Sequence, residues 1–489
     1  MASNADRRMR CAAATALPKL RNPDEKNVLA QIHGSIQLAT LTNRLRATSR
    51  TQPSGDGVHP DGGDSRTTVE VRDLTAVIES IAFVIALIAT VAALGHAIGR
   101  RPAAAPALVL GVGLLVALGA LAIGLAAPAA NIAAGPAKWG LAALGFTAAT
   151  QFRVRLLSRL RAPAFRLATA GAPLAFAFWA LTAFVMLPQT SMATAGLIAA
   201  ALLLNGAAFD RKAVLGAPAP AVVKQTVRLE GAAITAFGLP IAAFCIGAAT
   251  AAGPSEPQLT PLLLTTISML KGFVFGGLLG FAAARIGRRL YRAAGGRAAP
   301  AERRIDAMGG PAVMAGFGAA LLAPVIGGDM LIAAVAAGLV WSEEAGRAPG
   351  VRRVLQRLSE RAIPPAAYFA FGFLMLPRLA DADMLTTLYA VAAVTILRAA
   401  PRLAALSSAK LPEGARNFIA WYGGAPGAGS ALFLMMLTGE PAIANLDPAL
   451  TVGSMCVACG VIGARASSKP LLDGFLQAAA RGRSRRAYA

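Results

Sequence analysis

Apolar blocks, each about 20 residues long and parted by short polar runs, recur along this chain from residue 75 onward. As a helix, a block of that length crosses roughly 30 Å of hydrocarbon. Lipid offers no hydrogen-bond partners, so backbone N–H and C=O groups inside it must be satisfied within the segment, which a single block does by forming a helix. Composition agrees: 56% of the 489 residues are hydrophobic and 15% charged, with a mean hydropathy of +0.58. An ordinary soluble fold is excluded. The expected class is all-α and polytopic.

Spans are predicted near 75–98, 106–126, 131–152, 167–187, 192–214, 229–252, 260–284, 308–324, 326–342, 362–377, 384–405, 416–437 and 448–464, about thirteen transmembrane helices. The division near Pro324 and Gly327 is open to either reading. Charge tests the list, because Lys and Arg gather in cytosolic loops. Loops after odd-numbered spans hold Arg100 and Arg101; Arg153, Arg155, Arg159 and Arg161; Lys224 and Arg228; Arg288, Arg289, Arg292, Arg297, Arg303 and Arg304; Arg347, Arg352, Arg353 and Arg357; and Lys410. Loops after even-numbered spans hold little basic besides Arg378, with Glu256, Asp329, Asp381, Asp383, Glu440 and Asp447 nearby. The alternation would fail downstream of one missed span. It places the N-terminus outside and the C-terminus in the cytosol of a bacterial-type inner (plasma) membrane. The net charge of +23 is spread over these loops and the tail, so it argues for a membrane surface and against nucleic acid.

Three regions follow. Residues 1–73 are polar and Arg-containing, include TQPSGDGVHPDGGDS, and read as a disordered extension. Translocating them outward conflicts with the topology, so an over-extended start site, with the functional chain beginning near Val69, is expected. Residues 74–465 form the transmembrane domain, and 466–489 a basic tail with Arg481, Arg483, Arg485 and Arg486. Cys456 and Cys459 fall within an apolar span, and His33, His59 and His96 are scattered. No metal site assembles and no cofactor is implied. The run GAPGAGS at Gly424–Ser430 has phosphate-loop glycine spacing but lacks the Lys that meets phosphate, so an enzyme is not expected. Gly272, Gly276 and Gly280 repeat every fourth residue, which lets a neighbouring helix approach closely. Trp179, Trp341 and Trp421 fit anchoring or packing.

Charges and helix breakers inside spans are more informative, since each is costly in lipid unless it has a partner or lines a cavity. The fifth span ends in Asp210, Arg211 and Lys212. The sixth opens with Glu230 and contains Pro240. The seventh holds Lys271, and the eleventh Arg398. The twelfth contains WYGGAPGAGS, too rich in Gly and Pro for regular helix. Interrupted spans in corresponding positions of two halves point to inverted repeats and a midplane transport site, where freed carbonyls and helix ends meet an ion. The fifth and twelfth spans fit; both also fit helix ends beside loops.

Over residues 75–470 the chain resembles the monovalent cation:proton antiporters, or sodium/hydrogen exchangers. In that family the fifth of thirteen spans carries Thr-Asp-Pro at its break, where this chain has Phe209, Asp210 and Arg211. The sixth carries Glu-Ser-x-x-Asn-Asp, often with Pro five residues on; here stand Glu230, Gly231, Ile234, Thr235 and Pro240. Arg398 matches an intramembrane Arg, and Trp421, Tyr422, Gly424, Pro426 and Gly427 lie on a Trp-Phe-Gly-Pro-Arg-Gly-like break. The resemblance implies exchange of Na⁺ or K⁺ for H⁺ by alternating access, a homodimer, and a structural ion pair between Glu230 and Arg398.

The departures fall on the ion site. The family's Asn-Asp pair supplies the carboxylate that takes a proton and a cation in turn. Ile234 offers no ligand and the Thr235 hydroxyl does not titrate usefully. Arg211 and Lys212 bring two positive charges to the cation region, unless the segment slides and they snorkel to the interface. Pro426 stands at the family's Arg, and Cys459-Gly460 where many members have His-Gly. Two readings remain: an antiporter with a relocated carboxylate, Asp210 and Glu230 being the candidates and Lys271 another unusual intramembrane charge, or a transport-inactive or differently selective relative acting as sensor, scaffold or partner subunit.

Overall fold

A computed structural model of the protein describes residues 105–487 apart from 123–129, 152–162, 205–213, 253–258, 296–300, 346–354, 356–361, 410, 413 and 444. The chain divides into two units, Met1–Ala89 and Thr90–Ala489, and all described residues belong to the second. The first predicted span and the expectations for residues 1–73 lie outside them.

Among the described residues the regular structure is helical, without strands. In chain order the described helices of eight or more residues are α1 (Ala105–Ala122), α2 (Ala134–Ala149), α3 (Pro163–Met186), α4 (Met192–Leu203), α5 (Ala221–Ala251), α6 (Leu259–Ala293), α7 (Ala301–Leu322), α8 (Met330–Ala345), α9 (Ile363–Leu374), α10 (Met384–Val394), α11 (Ile396–Ala405), α12 (Ala415–Tyr422), α13 (Ala428–Leu437) and α14 (Leu446–Ala487). Each predicted span from the second onward overlaps one of these or a consecutive pair, the fifth (192–214) only over Met192–Leu203. Six helical stretches are long and apolar enough to cross a membrane by length and composition: Pro163–Met186, Ala221–Ala251, Thr260–Ala293, Ala307–Ile326, Met384–Ala405 and Leu446–Ala464. Four shorter apolar helices accompany them.

Helix ends follow local chemistry. Ser191 caps α4 by accepting the Thr194 N–H at 3.1 Å, and Asp383 caps α10 by accepting the Thr386 N–H at 2.7 Å. Hydrogen bonds from Thr386 hold the Asp383 carboxyl below the usual carboxylate range. The division near Pro324 resolves as a short 3₁₀ turn, Ala323–Ile326, closed by Gly327 at φ +71° before α8 begins.

Packing is tightest where side chains are smallest. Gly272, Gly276 and Gly280 of α6 face α8 so closely that a Cβ built at Gly276 would lie 2.6 Å from the Ala333 Cα, and one at Gly280 2.8 Å from the Ala337 Cα. The glycine repeat thus has its neighbour, and backbone meets backbone along the α6–α8 seam. Away from that seam α6 exposes Leu263, Leu264, Leu270 and Leu278, as a lipid-facing surface requires.

Among the described residues a break appears that the sequence did not lead us to expect. Besides the α4 end and the α12–α13 break, the eleventh span divides at Thr395 into α10 and α11. Trp179 of α3 meets the freed backbone, its Nε1 donating to the Ala393 carbonyl at 3.0 Å, while Tyr389 Oη donates to the Trp179 carbonyl at 2.9 Å. Within α3, Leu167–Gly171 forms a π-turn, a feature frequent at functional sites. The last helix runs unbroken from Leu446 to Ala487, so the basic tail begins as a helical continuation of the thirteenth span.

Candidate functional site

The interruptions converge. α4 stops at Leu203, and Leu204 (φ −74°, ψ +67°) leaves helical geometry. Opposite it, α12 ends at Tyr422, and Gly423–Gly427 cross in extended and left-handed conformations before α13 begins. Gly424 sits at φ +74°, a region that strains any residue with a Cβ. The fully buried Ser430 fastens the two breaks: its Oγ donates to the Leu204 carbonyl at 2.9 Å and accepts the Gly427 N–H at 3.3 Å. A Cβ at Gly429 would lie 2.7 Å from the same carbonyl oxygen. The carbonyl end of one half-helix therefore faces the amide end of another, so their dipoles attract at the crossing.

The carbonyl end of α12 has a different partner. The last carbonyls of a helix lack intrahelical donors and need others when buried. Arg402 supplies two, Nε to Ala420 O at 2.9 Å and Nη2 to Ile419 O at 2.8 Å, and Arg398 a third, Nη2 to Trp421 O at 2.8 Å. Four residues apart, both arginines share one face of α11, and it is the buried face, whereas the apolar Ile396 points outward. Such an inside-out helix is what a membrane imposes on charge.

Glu230 of α5, 2% exposed, forms an ion pair with Arg402 Nη1. The resemblance implied a pair with Arg398; the pair with Arg402 lies one turn further along α11. Gly423 packs against it, since a Cβ there would fall 2.7 and 2.9 Å from the Glu230 carboxylate oxygens. Ile234, one turn after Glu230, lines a cavity of about 10 Å³, with room for about one water molecule. Leu167 and Gly171 of the π-turn, Leu203, Arg398, Arg402 and Gly424 also border it. Thr235 is buried, and its Oγ1 donates to the Gly231 carbonyl of its own helix at 2.8 Å. Pro426 packs against Gly460 of α14, where a Cβ would fall 2.9 Å from the proline ring.

The structure thus brings together Glu230, Ile234, Arg398, Gly424 and the neighbouring Thr235, Pro426 and Gly427. Asp210, Arg211 and Lys212 lie outside the described residues. Lys271 is apart, exposed on α6 near the Gly327 turn. Arg402 was missed, although its spacing from Arg398 places both on one helix face. No group of His, Cys, Asp and Glu suited to a metal ion occurs among the described residues.

Comparison with known proteins agrees with this architecture. Residues 83–469 match the family model described as the transmembrane sodium/hydrogen exchanger. Among solved structures, the sodium proton antiporter MjNhaP1 from Methanocaldococcus jannaschii, determined at pH 8, is similar with a TM-score of 0.60 and 16% sequence identity, over 81% of this chain and 98% of that one. A search of curated proteins gave no match. The family model covers most of the chain, and the chain belongs to the sodium/hydrogen exchanger family of membrane cation:proton antiporters.

Proposed function

We propose that the chain exchanges a monovalent cation, Na⁺ or K⁺, for protons by alternating access at the hub where the α4 end meets the α12–α13 break. The observation that carries this reading is the Ser430–Leu204 contact, which joins two half-helix ends in a buried setting. Unwound backbone at such a crossing presents carbonyl and amide ends to an ion and can rearrange without breaking a continuous helix.

The coupling group is not at position 235. Thr235 gives its hydroxyl to Gly231 and Ile234 turns a hydrocarbon toward the cavity, so neither can trade a proton for a cation. Glu230 is engaged by Arg402. We assign the exchanging carboxylate to Asp210, which aligns with the family's fifth-span aspartate. The pair Arg211 and Lys212 oppose a cation beside it, each by about 4 kcal/mol at 4 Å and an effective dielectric of 20, unless they reach the interface.

One observation favours a second reading, a transport-inactive or differently selective relative serving as sensor, scaffold or partner subunit. The carbonyls that end α12 are already bonded by guanidinium groups of the protein. Everted vesicles separate the two. Antiport predicts that Na⁺, Li⁺ or K⁺ dissipates an imposed pH gradient, and that Asp210→Asn abolishes the response. Silence toward every cation, with gain of exchange only on combining Ile234→Asn and Thr235→Asp, establishes the second reading. In either case the alternating basic loops support an N-terminus outside and a C-terminus in the cytosol of a bacterial-type plasma membrane, with a homodimer as the assembly the family suggests.

A further inference from the structure

Arg402 does more than balance one carboxylate. Its guanidinium is held by the Glu230 carboxylate, by Ala420 O at 2.9 Å and by Ile419 O at 2.8 Å, with the Gly423 backbone closing against the pair. Every donor in that set is an oxygen, one of them charged, and two are main-chain carbonyls at the C-terminal end of a half-helix. This is the ligand chemistry that broken transporter helices offer to Na⁺ and similar ions. A dissolved ion would have to leave its hydration shell to enter, whereas the guanidinium is tethered there and buried, with 4% of its side chain exposed. The surroundings keep the cradle in shape without Arg402: Glu230 is fixed on α5, Arg398 Nη2 bonds Trp421 O, and Ser430 anchors the far side of the break.

From this geometry we infer that Arg402 is a resident cation, seated in a carboxylate-and-carbonyl cradle that otherwise accepts a dissolved monovalent cation, and that it thereby determines what the hub binds. The inference rests on α5, α11 and α12 and is independent of the role assigned to Asp210. It makes Arg402 a specificity determinant, and it predicts a site for Na⁺, K⁺ or free guanidinium in its absence.

Chemical rescue is the test. Full-length protein carrying Arg402→Ala, purified in detergent, is melted in choline chloride, NaCl, KCl and low-millimolar guanidinium chloride at equal ionic strength. A melting midpoint several degrees below wild type in choline, raised toward wild type by guanidinium and more weakly by Na⁺ or K⁺, is the expected result. Wild type shows no such rise, and adding Glu230→Gln to the variant removes the response. An equal response to all four salts, or one that survives Glu230→Gln, overturns the inference. Should Arg402→Ala not fold in choline, it is prepared in the other salts; the inference predicts recovery there, and failure in all of them contradicts it. Arg402→Gln, whose amide still reaches a carbonyl, is subject to the same criterion. A cation-stabilised variant with no exchange by wild type in vesicles sinks the antiport reading alone; exchange without cation rescue sinks this one alone.

Discussion

At the scale of single residues, the interior is organised by a few polar groups whose partners come from other helices. Glu230 and Arg402 are both almost fully buried, so removing one leaves the other charged without its counter-ion. Glu230→Gln is therefore expected to cost about 3–5 kcal/mol in detergent unfolding. Glu230→Gln with Arg402→Gln should cost less than the sum of the single variants, because the stranded charge is gone; an additive pair would deny the contact. Glu230 was legible in the sequence, since an acid amid apolar residues needs an explanation. Its partner was not. Family likeness directed attention to Arg398, and nothing in VTILRAAPRL distinguishes Arg402, on the same helix face, as a partner of the acid. That pairing depends on where α12 ends, which is a tertiary fact.

Among the helices, legibility follows covalent cause. The α12–α13 break was visible because its Gly and Pro residues remove helix bonds or tolerate φ above zero, as Gly424 does at +74°. The break at Thr395 was not visible, because Thr395 and Ile396 are β-branched residues common in membrane helices. What holds it open is the Trp179 indole on the Ala393 carbonyl, a contact 214 residues away in sequence. The same logic governs the crossing. Ser430→Ala removes the donor to Leu204 O and the acceptor of the Gly427 N–H, and is expected to destabilise by about 1–3 kcal/mol. Unchanged melting would show that the hydroxyl does not fasten the two breaks. On α6 the glycine repeat was legible as a close-packing signal, but its partner α8 was not. Gly276→Leu should force the α6–α8 backbones apart and lower stability by about 1–3 kcal/mol or more, measured by the same melts.

For the molecule as a whole, the apolar blocks and family likeness announced a many-helix membrane fold, while the course of the last helix emerged only from the structure. Composition marked residues 466–489 as a basic tail; α14 runs on through it to Ala487 and returns apolar side chains to the body. Phe475 stacks on Phe418 with ring centroids 4.7 Å apart, and with Leu472 it joins a buried cluster that includes Val223, Val227, Leu406 and Tyr422. The tail thus grips α12, the half-helix that leads into the break. Phe475→Ala should cost about 3–5 kcal/mol and loosen that grip, observed as faster hydrogen exchange in residues 415–422; unchanged exchange there would separate the tail from the hub. As proposed, an antiporter hub whose usual carboxylate is replaced by Thr235 still couples cation to proton through Asp210. Cation-induced collapse of the pH gradient in everted vesicles tests it most directly. Coupling through Asp210 predicts a response to Na⁺, Li⁺ or K⁺ that survives Thr235→Ala and disappears with Asp210→Asn. Folded wild-type protein silent to all three ions, or Asp210→Asn with unchanged exchange, would contradict it.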